Sequence, residues 1–486
     1  MTLTRPRRYT LPPAVEQRGS VMGLRPAQLA IAVALTACAV TVLAVLPSAA
    51  GLAVVAVLLL VGAPAVTMRF QGRSLDQWVP VAARMAALAS TRRTLRFGVR
   101  PGAQVVAPPT LTGVTAFEAS DQPSVGIIKD AAHGSYIGVL RCHGVPFVLL
   151  DDAEQERRSD SWGRILSPFA QEGSPVETVS WLERTVPEDG DALHGYVRDS
   201  ATLSPEHPLY QSYLQVIGTA SRAAKHHECL VCVRISARKA HRLLRRTANS
   251  DQAISGLLVR ELDALAERLW HAEVDVDGPL SMPDLSALMR RAFDPRSARA
   301  LAWRDRLTAP HEAPFRRAWP TATEVQWRHY RTDDAVHATF WVAGWPKADI
   351  RPDFMAPLIL RPDSVHTVAV VMEPIPPSRA ARAAEAAHAS LLADEDLRQR
   401  AGFLATARRR REQEAVLRRE AELADGHADF RFAGYVTVTA PTVEALDEAA
   451  NEIEHLAFAS QLEVRRLFGM QDTAFTYTLP LGRGLS

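Results

Sequence analysis

The chain opens with two apolar runs that contain no charged side chain. Leu29–Leu46 is the first run, and Ala49–Val66 is a second run rich in Ala, Val and Leu. Each run is near the short end of the roughly 17–25 residues that a helix needs to cross a bilayer. The break at Pro47 is typical of a tight turn between two helices. This pattern predicts a transmembrane helical hairpin over residues 28–66.

Two other structures fit the same apolar pattern: a helix pair buried in a protein core, and a signal peptide. A signal peptide usually has a single apolar stretch of roughly 7–15 residues, which argues against it here. Arginines occur in the basic arm of residues 1–27 and again at Arg69 and Arg73, whereas the tip between the runs is uncharged. By the positive-inside rule both termini are expected to be cytoplasmic, in a protein that crosses the inner (plasma) membrane twice.

Residues 67–109 predict a juxtamembrane helix followed by a linker. Trp78, Val81, Met85 and Leu88 recur at helical spacing. This helix either lies in the membrane interface with its arginines near anionic lipid, or docks on the domain that follows it. The sequence leaves both possibilities open. Glycines and prolines toward residue 109 are typical of a linker.

Residues 110–293 predict a first α+β domain, because short β-rich runs with turns between them alternate with helical periodicity. The predicted strands are Leu111–Glu118, Val125–Lys129, Tyr136–Cys142, Pro146–Leu150, Val176–Val186 and Cys229–Ile235. The predicted helices are Asp151–Gln171, Ser204–Ala224, Ala237–Ala272 and Ser281–Phe293. Since the early strands come as hairpins, the sheet is expected to be largely antiparallel.

Residues 294–320 hold four prolines and predict a linker, and residues 321–486 predict a second α+β domain. Its predicted strands are Thr323–His329, Ala335–Val342, Ser364–Met372, Phe430–Thr439 and Leu462–Arg466, with a helix at Pro441–Ala457. An Ala-, Arg- and Glu-rich stretch predicts a long helical hairpin inserted at residues 379–423. The fold class expected is therefore a transmembrane hairpin followed by cytoplasmic α+β domains, built of ferredoxin-like split βαβ units with a helical hairpin insertion.

Composition and motifs exclude several classes of function. A formal net charge of +2 over 486 residues argues against a strongly basic nucleic-acid binder. Four cysteines in this length do not make a disulfide framework. The sequence contains no G-x-x-x-x-G-K-[ST] and no G-x-G-x-x-G after a strand, so the loop that holds nucleotide phosphates in P-loop enzymes is missing.

His226, His227, Glu228, Cys229 and Cys232 have the composition of a metal-ligand cluster. A zinc knuckle needs a turn that brings two sulfurs to one side and usually a second ligand pair. Here a strand is predicted through both cysteines, which places their sulfurs on opposite faces of a sheet. No metal site is predicted.

Other reactive groups fit structural roles better than catalysis. Gly134–Gly138 lacks the spacing of a nucleophile elbow, and His311 with Glu312 lacks the second histidine of a zinc protease. Asp151 with Asp152, and Asp189 with Asp191, are typical of helix caps and turns. The sequence predicts no catalytic, cofactor-binding or metal-binding residue and no cofactor.

Arg408–Arg411 belongs to an arginine-rich helix predicted over residues 405–420. It could contact nucleic acid or lipid. Alternatively it is a solvated face, neutralised at helical spacing by Glu412, Glu414, Glu420 and Glu422. Direct contact with nucleic acid therefore stays open.

Two parts of the chain resemble components of conjugative type IV secretion systems. The basic arm, the hairpin and Gly72–Trp78 resemble the small PrgI-type membrane subunit. The remainder is similar to the N-terminal, non-motor half of the TraC/VirB-type secretion ATPase through Arg141–Asp151, Trp181–Thr185 and Ala474–Gly482. Such fusions are known from actinobacterial conjugation loci, where the motor ATPase is a separate chain.

The resemblance implies an inner-membrane scaffold, not an enzyme, that docks a separate P-loop ATPase. The partners that it implies are membrane lipid, the ATPase, a polytopic channel subunit and further copies in a homo-oligomer. The sequence ends near the point where the family's ATPase enters its motor domain, so the docking surface is expected in residues 429–486. Two alternatives stay open: a membrane-associated enzyme of unknown reaction, and a basic lipid- or DNA-binding membrane protein.

Overall fold

The protein forms a hairpin of two helices, a third helix docked on the rest of the chain, and a large antiparallel sheet with helices on both faces. The coordinates are a computed structural model. The structure describes residues 26–67, 69–70, 73–91, 93–100, 104–143, 147–187, 197–198, 200–223, 225–244, 251–297, 315–346, 350–386, 389, 417, 419, 421–423 and 427–485.

The helices and strands are numbered in chain order. The helices are α1 Pro26–Val45, α2 Ala49–Thr67, α3 Leu75–Ser90, α4 Asp152–Leu166, α5 Pro208–Ala223, α6 Ala237–Leu243, α7 Asp251–His271, α8 Met282–Phe293, α9 Ala356–Leu360, α10 Val443–Ala459 and α11 Gln471–Phe475. The strands are β1 Arg69–Phe70, β2 Arg73–Ser74, β3 Leu95–Phe97, β4 Val99–Arg100, β5 Gln104–Val105, β6 Val114–Glu118, β7 Gly126–Asp130, β8 Ser135–His143, β9 Val176–Pro187, β10 Lys225–Ser236, β11 Asp275–Pro279, β12 Ala322–Val325, β13 Tyr330–Thr332, β14 Ala335–Gly344, β15 Val365–Ile375, β16 Asp429–Ala440 and β17 Glu463–Arg466. The 3-10 helices are Pro109–Leu111, Phe147–Leu149, Ser167–Ala170, Phe315–Ala318 and Thr476–Thr478. Residues 377–386 are also helical.

Within the described residues, thirteen strands form one sheet. Its order is β3-β12-β13-β14-β16-β15-β9-β10-β8-β7-β6, with β11 also beside β8 and β17 also beside β14. Every pairing in the sheet is antiparallel. The short strands β1–β2 and β4–β5 form separate pairs.

The sheet consists of two repeated halves that meet between β9 and β15. The first half follows the order β8, α4, β9, β10, α7, β11, and the second follows β14, α9, β15, β16, α10, β17. In both halves the first strand lies between the third and the fourth. The middle pair of the β9–β15 ladder is Leu182 opposite Ala369. Because equivalent strands pair antiparallel there, the halves are related by a pseudo-two-fold axis that passes through the sheet near this pair.

The predicted fold class is wrong in the way these elements assemble. The sequence predicts small ferredoxin-like units that stand apart, whereas β9 and β15 join both halves into a single sheet. The reason is that an unpaired edge strand exposes backbone donors and acceptors, and pairing two such edges satisfies them. Nothing local in either strand indicates its partner. The division of the chain at residues 294–320 stays a prediction, because much of that range lies outside the described residues.

The two faces of the sheet bury different parts of the chain. Alternation along β10 places Val231, Val233 and Ile235 under α4 and α7, on what we call the helical face. Leu230 and Cys232 point to the opposite side, which is covered by α8, Phe315–Ala318 and the chain from residue 471 to residue 485. We call that side the C-terminal face. On the helical face of the second half, α10 buries its Leu446 and Ile453 against β14 and β16.

The prediction of a transmembrane hairpin over residues 28–66 is wrong. Helices α1 and α2 do lie against each other, and Gly62 permits this because a Cβ there would be 2.7 Å from Leu35 Cδ1. Within the described residues, however, no helix combines the length and the apolar character that a membrane crossing requires. The apolar runs are near the lower limit of about 17 residues, and the first helix includes the buried polar Gln28. The two-span inner-membrane localisation with cytoplasmic termini is overturned by the same finding.

Helix α3 docks on the second half of the sheet, which is one of the two roles left open for it. Trp78 stacks on Trp327 with ring centroids 5.8 Å apart. Arg84 donates two hydrogen bonds to the carboxylate of Asp472, at 2.6 and 3.2 Å. Met85 packs against the core of the C-terminal face.

Several predicted elements differ locally from the structure. The predicted strand Pro146–Leu150 is, where the structure describes it, a 3-10 helix over Phe147–Leu149. The predicted helix Ala237–Ala272 is two helices, α6 and α7. Strand β11 was not predicted, because Asp275–Pro279 contains Gly and Pro and only gains its place by pairing with β8. Most of the helical hairpin predicted for residues 379–423 lies outside the described residues.

Candidate functional site on the C-terminal face

The C-terminal face carries a buried polar network beneath the last residues of the chain. Thr339, Thr437 and Thr478 form a row of hydroxyls separated by 2.8 and 2.7 Å. Because Thr478 donates to the Phe475 carbonyl, Thr437 donates to Thr478 and Thr339 to Thr437. All three residues are buried, so the network fixes the C-terminal segment against the second half of the sheet.

His337 lies in the same layer and is completely buried. Its Nε2 is 2.7 Å from Thr332 Oγ1, and its Nδ1 is 2.9 Å from Thr439 Oγ1. Since the Thr332 hydroxyl donates to the Phe293 carbonyl, Nε2 carries the proton and Nδ1 accepts from Thr439. Burial lowers the pKa of His337 to about 3, so the ring is neutral at physiological pH.

The last residues of the chain cross to the first half of the sheet. The carbonyl of Gly482 accepts hydrogen bonds from Thr178 Oγ1 at 3.1 Å and from Arg234 Nη1 at 3.3 Å. Arg483 then donates through Nε and Nη2 to Asp130 Oδ2, at 2.9 and 2.7 Å. Burial alone would raise the pKa of Asp130, but the Arg483 guanidinium and the bonded His133 outweigh it and lower that pKa. The segment thereby ties both halves together.

A second buried group of charges surrounds Glu228 on β10. Arg184 donates to Glu228 Oε2 at 2.8 Å, and Arg291 from α8 donates to Oε1 at 2.9 Å. The side chains of Arg184 and Glu228 are 5% and 7% exposed, whereas that of Arg291 is 27% exposed. Burial would raise the pKa of Glu228, but Arg184, Arg291 and Arg141 outweigh it and lower that pKa.

The predicted metal-ligand cluster is not brought together. Cys229 and Cys232 lie in β10 with their side chains on opposite faces, and Cys229 pairs in register with Cys142 of β8. Burial raises the pKa of the Cys142 thiol to about 12, which keeps it protonated. His227 bonds to Thr185 at 3.2 Å. No group of three metal-ligating side chains occurs in the part of the chain that the structure describes.

The other residues considered from sequence have structural roles where they are described. Gly134 is in a turn, and Gly138 lies against Leu262. Asp151 caps α4 by accepting from the Glu154 amide at 2.8 Å, and Asp152 pairs with Arg351 at 2.7 Å. The pair Asp189 and Asp191, the pair His311 and Glu312, and Arg408–Arg411 lie outside the described residues.

Sequence reasoning missed the charged residues that organise this face. Arg184, Glu228 and Arg234 are charged residues that are buried within β9 and β10. A charge in a buried strand position requires a partner, which is a usable signal. The identity of that partner was out of reach, because Arg291 lies 63 positions from Glu228 and Glu177 lies 57 positions from Arg234 along the chain.

Apolar side chains are exposed on two helical elements. On α5, Leu209, Tyr213 and Val216 follow the i, i+4, i+7 spacing of one helix face and are 66, 53 and 60% exposed. On the α1–α2 hairpin, Val33, Val40, Val57 and Leu60 are at least 60% exposed. Exposed contiguous apolar surface marks a site of interaction.

A scan against models of protein families gave no match, and a search of curated proteins gave none either. The fold itself is a two-half antiparallel sheet that is closed on one face by its C-terminal segment. The resemblance to secretion components remains an expectation from sequence.

Proposed function

We propose that the chain is a non-catalytic scaffold of a conjugation-type secretion apparatus that docks a separate P-loop ATPase. The observation that carries this proposal is the convergence of the three sequence motifs on which the resemblance rests. Arg141 of the first motif and Arg184 of the second both act on Glu228. Leu182 of the second motif shares a core with Leu479 and Leu481 of the third. The motifs therefore belong to one structural unit.

The scaffold role follows from the chemistry that the sequence lacks. Nucleotide hydrolysis by a P-loop enzyme requires a glycine-rich loop with its lysine and hydroxyl, and this sequence has none. The ATPase is therefore proposed to be supplied by another chain. The channel subunit, lipid, nucleic acid and homo-oligomer stay predictions from the sequence.

The apolar face of α5 is the docking surface in this proposal. The helix interrupts the connection between β9 and β10 and is uncharged over the stripe Leu209, Tyr213 and Val216. Burying such side chains contributes roughly 1.5–3 kcal/mol each when they are fully covered. Residues 429–486, the surface expected from sequence, suit docking less well, because Leu479, Leu481 and most of β16 are buried.

Co-purification with a candidate P-loop secretion ATPase from the same genome tests the proposal. The chain should retain the ATPase, and Leu209→Ser with Val216→Ser should weaken retention at least tenfold. Phe458→Ser is the control, because Phe458 is 82% exposed on α10 and lies away from the stripe. Deleting residues 429–486 is unsuitable as a test, since β16 pairs with both β14 and β15.

Two results would contradict the proposal. Equal retention of the ATPase by the α5 double variant and by Phe458→Ser would remove the docking surface. Turnover of ATP by the purified chain alone, unchanged after further purification, would overturn the assignment as a non-catalytic scaffold.

A further inference from the structure

The charges around Glu228 do not balance. Arg184 and Arg291 bond to its carboxylate, on the C-terminal face where β8, β9, β10 and α8 meet. Arg141 of β8 pairs with Leu230, so it is the diagonal cross-strand neighbour of Glu228 on the same face. Among the described residues, three guanidinium groups face one carboxylate, which is an excess of two positive charges. Burying a charge without a partner is costly, so an arrangement of this kind favours an additional anion.

Most hydrogen-bond donors of the cluster have no acceptor in the part of the chain that the structure describes. Each guanidinium carries five N–H donors. Glu228 accepts one bond from Arg184 and one from Arg291. Among the described residues the Arg141 side chain has no hydrogen bond, and Arg291 Nε is buried without an acceptor. An anion bound in this cluster would supply an acceptor for Arg291 Nε and for the Arg141 guanidinium.

The cluster is open to solvent on one side. Arg184 is almost fully buried at 5% exposure, which fixes the inner wall. Arg291 is 27% exposed, Arg141 is half-buried, and His226 beside Glu228 is exposed. A small ligand can therefore reach Arg141 and Arg291 without unfolding the sheet.

We propose that Arg141, Arg184 and Arg291 form a binding site for a phosphate-type oxyanion. Arginine forks match the oxygens of phosphate in a bidentate manner, and a phosphate group carries a charge of about −1.5 to −2 at pH 7. This charge matches the excess of two. A single carboxylate ligand offers one negative charge and fewer acceptors. The site does not depend on the proposed docking role.

Binding of inorganic phosphate to the full chain, measured by isothermal titration calorimetry at constant ionic strength in chloride, tests the site. The informative variant is Arg141→Gln, because Arg141 makes no side-chain hydrogen bond in the described structure and its loss orphans no acceptor. Phosphate should bind about tenfold more weakly, as expected for loss of one charged hydrogen-bonding group. Arg291→Gln should have the same effect, with circular dichroism to verify that each variant is folded.

Arg260→Gln is the matched control. It removes the same charge from an exposed position on α7, on the opposite face of the sheet. Phosphate affinity should be unchanged in this variant. Equal losses of phosphate affinity in Arg141→Gln and Arg260→Gln would overturn the proposal. It would also be overturned if the parent chain bound neither phosphate nor ADP.

The phosphate-type oxyanion can be free phosphate or the phosphate groups of a nucleotide, and titration with ADP distinguishes the two. A site for free phosphate binds phosphate at least as tightly as ADP, whereas a site for nucleotide phosphates favours ADP. In both cases the binding must weaken in Arg141→Gln and persist in Arg260→Gln. Binding of ADP that is insensitive to both substitutions would place the ligand elsewhere and refute the site.

Discussion

Arg483 and Asp130 form a buried ion pair between residues 353 positions apart in the chain. Two nitrogens of the guanidinium bond to one carboxylate oxygen, and a third donates to the Thr110 carbonyl at 2.7 Å. Asp130 is fully buried and Arg483 is 7% exposed. The pair attaches the end of the C-terminal segment to the half of the sheet that contains β7.

Replacing Arg483 by Met should destabilise the protein strongly. Among the described residues, Asp130 would keep only His133 as a side-chain partner, and breaking a buried pair from one side costs about 3–5 kcal/mol. The free energy of unfolding from urea titration measures this loss.

The double variant Asp130→Asn with Arg483→Met serves as the control for this pair. It removes the orphaned charge and should recover much of the stability. A double variant no more stable than Arg483→Met would show that packing of the Arg483 side chain, rather than the unpaired charge, accounts for the loss.

His337 should make stability depend on pH below neutrality. Its pKa is about 3 in the folded state and 6.5 as a model group. Between these values the unfolded chain binds a proton that the folded chain excludes, so stability is retained above pH 6.5 and falls as the pH falls toward 3. The contribution is at most about 1.4 kcal/mol per pH unit.

Urea unfolding of the parent and of His337→Asn from pH 7.5 to pH 4.5 measures this contribution. The difference in unfolding free energy between parent and variant should shrink as the pH falls. His455→Asn is the control, because His455 is exposed on α10. A difference that stays constant across this range would mean that His337 is not held neutral by burial.

Gly482→Ala should destabilise more than Gly134→Ala. Both glycines have a left-handed backbone, with φ of +58° and +59°. An added Cβ at Gly482 would be 2.6 Å from Thr178 Oγ1, whereas a Cβ at Gly134 would meet no atom within 4 Å. The backbone conformation alone costs about 1–2 kcal/mol.

Thermal or urea unfolding of the two glycine variants separates these contributions. Gly134→Ala should show the backbone cost alone, and Gly482→Ala should show that cost plus displacement of the C-terminal segment. Equal losses would indicate that the segment near Gly482 adjusts without strain.

Arg84→Ala should loosen helix α3. The substitution removes both hydrogen bonds to the nearly buried Asp472 carboxylate. Because Arg84 is 39% exposed, solvent screens the pair and we expect a local loss of about 1 kcal/mol. Hydrogen exchange of the α3 amides should quicken in this variant. Arg93→Ala, at an exposed position beyond the helix, should leave the exchange unchanged. Equal exchange in both variants would argue that the packing of Trp78 and Met85 holds the helix without the ion pair.

Local sequence patterns predicted most individual elements of the sheet. Alternating apolar residues located β7, β8, β9, β15 and β16 to within a few residues. Ser281 and Asp284 form the capping box that begins α8, with hydrogen bonds in both directions. These features depend on side chains a few positions apart, so a single sequence contains the information that determines them.

None of the ion pairs at the candidate site was predicted from the sequence. The sequence marked Glu228 as part of a metal-ligand cluster, yet its partners are Arg184 and Arg291. The expectation that residues 429–486 carry a docking surface stays a prediction. Charged residues in strands reveal that a partner is needed, but not which of the chain's many opposite charges supplies it.

The sequence by itself determined where strands and helices form and that the chain has no P-loop, because both are properties of short stretches of residues. The tertiary structure alone decided that β9 pairs with β15, that Arg483 reaches Asp130, and that three arginines surround Glu228. Each of these depends on the register of strands far apart in the chain. A shift of one residue in that register would turn every side chain to the other face of the sheet, so only the packed core selects it.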